Sequence, residues 1–221
     1  MLFRWDKSSL IVHTPAKLNL FLEVLNKRPD GFHELETVMV MLGVYDSLRL
    51  TSIPHSAANA TEPAVTLCIF SVNSANPAFE QSRPLPQGAD NLVVKAAELL
   101  RTHAGYEGGA NIELWKRIPS EAGLAGGSSD AAATLAGLNR LWKLNLPNEE
   151  LRRLAARLGS DVPFFLSPSR SALCRGRGEI IEPLDLPLGC SSWSSNHRWA
   201  CPLPRCFASG GPRNSADRPN L

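Results

Sequence analysis

Between Arg117 and Ala133 the chain reads Arg-Ile-Pro-Ser-Glu-Ala-Gly-Leu-Ala-Gly-Gly-Ser-Ser-Asp-Ala-Ala-Ala. Glycines at 123, 126 and 127 let the backbone take positive φ and let a ligand approach the main chain closely. Ser128, Ser129 and Asp130 are good N-cap residues, and the alanines after them are strong helix formers. The pattern predicts a sharp loop that opens a helix over about 128–142, with Leu135, Leu138, Leu141 and Trp142 on its core face. The first amides of a helix lack internal acceptors and carry partial positive charge, which makes such an end a receptor for phosphate. The plainer alternative is a Gly-rich turn before an ordinary helix. A P-loop is excluded, because no lysine precedes Ser128. A dinucleotide fingerprint is excluded by the glycine spacing. If the loop handles a triphosphate, the accompanying cation comes from elsewhere in the chain.

A length of 221 residues allows one large domain, or one domain and part of a second. Hydrophobic content of 43% and charged content of 20% are those of a globular chain. The net charge of +2 gives no sign of a nucleic-acid or membrane partner, and no apolar run approaches the ~20 residues of a transmembrane helix. Asp6 and Lys7 break any signal-peptide layout, so the expected location is cytoplasmic. Cys68, Cys174, Cys190, Cys201 and Cys206 form no Cys-x-x-Cys pair, and no histidine falls at zinc-finger spacing. The sequence sets no oligomeric state.

Along the chain, Leu10-Ile-Val12 reads as a strand that His13-Thr-Pro-Ala-Lys17 interrupts. Leu18, Leu20 and Leu22 then alternate with Asn19, Phe21 and Glu23 as a second, half-buried strand. Pro29-Asp30-Gly31 marks a turn. A strand leads from it through about residue 41, and another covers 44–53. Loop-like composition follows at 51–63 and 71–90, around a short strand at 65–70; nearly twenty residues is long for a loop in a compact domain. Asp90-Asn91 caps a helix over 91–102, and 108–116 is a turn and strand feeding the Gly-rich loop. Asn148 caps another helix, with Glu149 and Glu150 in its first turn, and Gly159 ends it. Asp161 is followed by Val-Pro-Phe-Phe, which carries the backbone into the core.

Four segments carry a resemblance. Gly123-Leu-Ala-Gly-Gly-Ser-Ser-Asp-Ala-Ala132 resembles the phosphate loop of the GHMP kinases, in the form found in the 4-diphosphocytidyl-2-C-methyl-D-erythritol kinases. Pro15-Ala-Lys-Leu-Asn-Leu-Phe-Leu22, Arg28-Pro-Asp-Gly-Phe-His33 and Gly159-Ser-Asp-Val-Pro163 resemble further motifs of the same group. The resemblance implies an α+β fold: a GHMP kinase N-terminal domain, a two-layer α/β sandwich shared with a ribosomal-protein domain, followed by only the beginning of a second domain. It makes Lys17 the catalytic cation beside the transferring phosphate and Asp161 the catalytic base. ATP is then held by Pro119, Ser120, Glu121, Ala122, Gly123, Leu124, Ala125, Gly126, Gly127, Ser128 and Ser129. Asn19 faces the substrate, Phe32 stacks on a cytosine ring and His33 reads its edge. Asn91 and Leu92 lie near adenine and Lys116 near the nucleotide, while Asn91 and Leu92 also fit a plain cap and core leucine. A strand pair turning at Gly176-Arg-Gly178 follows within 171–184.

The implied reaction is transfer of the γ-phosphoryl of ATP to the 2-hydroxyl of 4-diphosphocytidyl-2-C-methyl-D-erythritol, a step of non-mevalonate isoprenoid synthesis. The partner is that cytidine diphosphate-linked small molecule, without nucleic acid or membrane. Mg²⁺ accompanies ATP, with Ser128 or Ser129 offering a hydroxyl and no protein ligand set assigned. Two alternatives stay open. Another GHMP kinase acting on a small alcohol would share the loop without needing Phe32 and His33. A truncated, non-catalytic relative would bind nucleotide or RNA.

The resemblance runs from about Leu10 to Leu188 and stops. The expected organisation is a catalytic and ATP-binding domain over 1–166, the start of a second domain over 167–188, and an aberrant tail over 189–221. The tail concentrates Trp, Cys, Arg and Pro with few aliphatic residues, a composition ill suited to a core. The expectation is a reading-frame shift near Gly189, with a native disordered tail as the alternative. The first domain is then expected to expose apolar surface and to be weak or inactive as a kinase.

Overall fold

The computed structural model describes residues 1–27, 29, 31, 33–55, 63–71 and 85–186, and Met1–Leu186 forms one compact unit. Seven strands make one mixed sheet: β1 (Leu2–Asp6), β2 (Ser9–Lys27), β3 (His33–Ile53), β4 (Val65–Ser71), β5 (Gly109–Lys116), β6 (Ser171–Gly176) and β7 (Ile180–Leu184). The main path is β1-β2-β3-β5-β4. β6 joins the far end of β3, and β7 pairs with β6. Among the described strands only β4 and β5 run parallel. Three helices, α1 (Leu92–His103), α2 (Gly126–Leu141) and α3 (Asn148–Leu158), form the second layer. This is the expected α+β sandwich. None of the described helices is long and apolar enough to cross a membrane.

The core is one cluster between the layers. Leu10 and Val12 of β2, Leu48 and Leu50 of β3, and Ile112 and Leu114 of β5 point into it at alternate positions. α2 meets them with Ala131, Ala132, Ala133, Leu135 and Leu138. The small residues let the helix lie close to the sheet. A Cβ at Gly137 would fall 2.3 Å from the Leu50 Cδ1, so any larger residue there pushes the layers apart. Trp142 stacks on Tyr106 at 4.4 Å and donates its indole N–H to the Gly109 carbonyl.

Several elements depart from the sequence reading. His13-Thr-Pro-Ala-Lys17 does not end a strand. β2 passes through it as a bulge, where Pro15 faces Tyr45 but Lys17 faces Met41. Likewise 33–53 is one strand rather than two. The second half of β2 is not half-buried: Leu20 and Val24 are 54% and 57% exposed. Alternation records a strand, but burial needs a layer above it, and the buried run of β2 stops at Lys17. α2 begins at Gly126, two residues before Ser128, with Ala125 in the cap position and no side-chain cap. Pro147 takes the cap position of α3, and Asn148 instead donates its amide to the Leu166 carbonyl. Gly159 does end α3, in extended conformation. Asn91 caps α1 as expected, accepting from the Val93 amide at 2.8 Å. Phe164 and Phe165, in a turn of 3-10 helix over Pro163–Leu166, are buried as the sequence implied.

Candidate active site

The Gly-rich loop folds by left-handed backbone, though not only where glycine supplies it. Glu121, Gly123 and Ala125 have φ of 60°, 72° and 53°. For Glu121 and Ala125 that conformation is uncommon, and the surrounding structure has to hold it. The loop delivers the chain into α2, whose first turn has neither an acidic residue nor a side-chain cap. Its leading amides lack helical acceptors. A Cβ at Gly127 would meet nothing closer than the Leu92 Cδ1 at 3.8 Å, so the space over the helix end is open. A group with several anionic oxygens fits such an end.

Lys17 and Asp161, from distant parts of the chain, meet beside this loop. The Lys17 Nζ lies 3.2 Å from the Asp161 Oδ2, with side-chain exposures of 5% and 30%. The bulge in β2 aims the lysine, the Lys17 amide donates to the Leu124 carbonyl at 3.0 Å, and the Lys17 Nζ also donates to the Asn19 Oδ1 at 3.0 Å. Asp161 sits in the turn between α3 and Pro163, and the β6–β7 turn supports it from behind: a Cβ on Gly178 would lie 3.8 Å from the Ser160 carbonyl oxygen. Cys174 of β6 is buried beside the pair. Burial pushes its thiol up to about 11, and the Asp161 charge adds to this.

The two serines differ. Ser129 is fully buried, and its hydroxyl donates to the Pro15 carbonyl at 2.6 Å and meets the Thr14 hydroxyl at 2.5 Å. It ties α2 to the bulge that carries Lys17. Ser128 stays partly exposed at the helix end.

Beneath the loop lies a second, sealed ion cluster that the sequence reading did not assemble. The Lys116 Nζ donates to the Asp46 Oδ2 and, at 2.7 Å, to the Asp130 Oδ2. Asp46 also accepts from the Arg117 and Ile118 amides at 2.5 and 2.9 Å. Burial works to lower the Lys116 ammonium, but the two carboxylates outweigh it and hold it above its ordinary value. Burial pushes the Asp130 carboxyl up to about 7 against the pull of Lys116, and the Asp46 charge adds to the rise. The other Asp130 oxygen has no hydrogen-bond partner among the described residues. A signal for this cluster exists in the sequence. Thr14 is in phase with Leu10 and Val12, Asp46 with Leu48 and Leu50, and Lys116 with Ile112 and Leu114. A polar residue at the inward phase of three neighbouring strands requires partners inside.

Other assigned residues lie elsewhere. His33 is exposed at the far tip of the β2–β3 ribbon opposite Lys27, whereas Lys17 faces Met41. Phe32 lies outside the described residues. Asn91 is engaged as the α1 cap.

Residues 91–168, from α1 through the Asp161 turn, match the family of GHMP kinases N terminal domains. The 4-diphosphocytidyl-2-C-methyl-D-erythritol kinase of Synechococcus sp. (strain CC9902) is 48% identical over 79% of this chain and 51% of its own length. A crystal structure of a 4-(cytidine 5'-diphospho)-2C-methyl-D-erythritol kinase superposes with a TM-score of 0.60 at 37% identity, over 80% of this chain and 56% of that one. Homoserine kinase from Cytophaga hutchinsonii, at 20% identity and a TM-score of 0.56, shares the fold over 85% of this chain and 55% of its own. The chain thus spans about half the length of the curated relatives it matches. By sequence and fold the chain is similar to the N-terminal half of the 4-diphosphocytidyl-2-C-methyl-D-erythritol kinases, and it carries a GHMP kinase N-terminal domain.

Proposed function

We propose that this domain serves ATP-dependent phosphorylation of the 2-hydroxyl of 4-diphosphocytidyl-2-C-methyl-D-erythritol. The observation that carries the reading is the Lys17–Asp161 pair at 3.2 Å, hydrogen-bonded through the Lys17 amide to the loop that opens α2. Phosphoryl transfer is mostly positioning and stabilisation of spreading charge. The amides at the start of α2 and the open surface over Gly127 suit the triphosphate of ATP. Asp161 accepts the proton of the attacking hydroxyl as its oxygen bonds to the γ-phosphorus. The bond from that phosphorus to the β,γ-bridging oxygen breaks, and ADP leaves. Lys17, almost fully buried, directs its Nζ toward the transferring group and stabilises its charge. Mg²⁺ bound to the triphosphate would neutralise phosphate charge. Ser128 is the hydroxyl available to it, because that of Ser129 is engaged with Thr14 and Pro15. Asn19 orients Lys17 from the substrate side, and His33 with Phe32 is assigned to the cytosine ring.

The test is transfer of labelled γ-phosphate to 4-diphosphocytidyl-2-C-methyl-D-erythritol by the wild-type chain and by Asp161→Asn. The expected result is loss of turnover in the variant with ATP binding intact. Retention of more than a few per cent of the wild-type rate (on the order of the smallest general-base contribution) removes Asp161 from the role of base. Competition by CDP or CMP separates this substrate from a small alcohol lacking the nucleotide.

A further inference from the structure

The polar ends of two core strands, β3 and β5, meet the phosphate loop at a single nitrogen, and that of β2 meets it at Ser129. Thr14, Asp46 and Lys116 close the inward rows of β2, β3 and β5, and the strand register sets Thr14 opposite Asp46. The Lys116 Nζ would lie 3.0 Å from a Cβ on Gly126, so the ammonium sits directly against the first residue of α2. Asp130 reaches back to the same nitrogen from one turn further on. Asp46 bonds that nitrogen with one oxygen and the amides of Arg117 and Ile118 with the other. Both ends of the loop, 117–118 and 126–130, are therefore fixed to one buried cluster. Between them Glu121 and Ala125 hold left-handed backbone that only a firmly anchored loop sustains. Lys116, Asp46 and Asp130 are sealed, at 4%, 0% and 2% side-chain exposure.

We propose that Lys116, clamped between Asp46 and Asp130, is a positioning residue for the phosphate loop, acting on a bound nucleotide only through the backbone it holds. This rests on the nucleotide reading given under Proposed function. Its ammonium has two carboxylate partners and no exposed face to offer a phosphate. To touch one directly it would have to leave both carboxylates buried without a counter-ion.

Two measurements on the 221-residue chain test it. The first is hydrogen exchange without nucleotide at pH 8, where Asp130 is ionised, wild type against Asp130→Asn, which removes one charge and keeps the shape. Amides of 121–127 are expected to exchange at least tenfold faster, a change on the order of one pair's anchoring, while those of 9–13 in β2 stay as in wild type. Unchanged loop exchange, or equal acceleration in both segments, overturns the local role. The second is a double-mutant cycle on ATP affinity with Lys116→Met and Asp130→Asn. If Lys116 acts through the cluster, the double variant binds within about twofold of Lys116→Met alone; fully additive losses mean a direct contact and overturn the proposal. Should Lys116→Met fail to fold, Gly126→Ala takes its place in the cycle, because its methyl group would press on the same ammonium. Absence of ATP binding by the wild-type chain would overturn the nucleotide reading alone, and the exchange measurement would still decide the role of the cluster.

Discussion

Two lysines, Lys17 and Lys116, flank the same loop and are buried to the same degree, yet their surroundings divide chemistry from architecture. Lys17 has one carboxylate partner, Asp161, which is 30% exposed, and an amide oxygen from Asn19. Lys116 has two carboxylates, both sealed, and nothing at the surface. An ion pair open on one side can exchange its partner for a reacting group. A closed one can only hold what surrounds it. The difference comes from where the strands place the two residues. Lys17 follows a bulge at the edge of the covered region, and Lys116 ends an inward row beneath a helix.

Breaking each pair should therefore fail in a different assay. Asp161→Asn is expected to lower phosphotransfer by about 10²-fold or more, and to cost less unfolding free energy than opening the sealed cluster, since Asp161 is partly solvated and an Asn there can still accept from Lys17. Rate assay and urea denaturation of the same preparation check both halves. Lys116→Met should do the reverse in stability and lose ~3–5 kcal/mol, because two buried carboxylates lose their counter-ion; a loss of under a third of that by urea denaturation would mean the cluster relaxes or takes in water.

The pH dependence sharpens the same contrast. The folded state raises the Asp130 carboxyl from its ordinary 3.8 to about 7. Between those values the folded chain holds a proton that the unfolded chain has released. The contribution of Asp130 to stability is thus fully present below about pH 4 and is lost as pH rises through about 7. Comparing the urea midpoints of wild type and Asp130→Asn from pH 4 to 8 isolates it: the wild-type advantage should shrink as pH rises, and a difference constant across that window would contradict the assignment.

Smaller effects remain at the edges of the comparison. Ser129→Ala removes the buried tie between α2 and the bulge at Pro15 and should cost ~1–3 kcal/mol, from the Pro15 carbonyl that loses its side-chain donor. The exposed Glu149–Arg153 pair on α3, at 2.7 Å, is the opposite limit. Glu149→Ala should change stability least of all these variants, and less still in high salt. Thermal denaturation at two ionic strengths measures it.

Much of this molecule was legible from local pattern. The helices at 92–103 and 148–158, the strand feeding the loop and the turn into Val162 all follow from periodicity and cap residues whose physics is local. The resemblance singled out Lys17 and Asp161, which the fold brings together. The continuity of β2 and β3 was not legible, since Pro15 reads as a breaker until a partner strand absorbs it as a bulge. Nor was the exposure of Leu20 and Val24, whose alternation matches that of buried Leu10 and Val12.

The sequence by itself determined the helices, the strand character of the segments around them and the glycine-bearing loop before a helix, because dihedral preference, side-chain period and missing Cβ atoms are properties of neighbouring residues; the α+β class came from the family resemblance. Only the tertiary structure decided that Ser129 ties the fold together while Ser128 remains at the helix end, that Lys116 is enclosed while Lys17 faces a partly open carboxylate, and that Asp46 belongs to the loop at all. Those outcomes depend on which strands lie side by side and where the helical layer stops, and the desolvation that separates a sealed charge from a reactive one exists only after residues distant in the chain have packed.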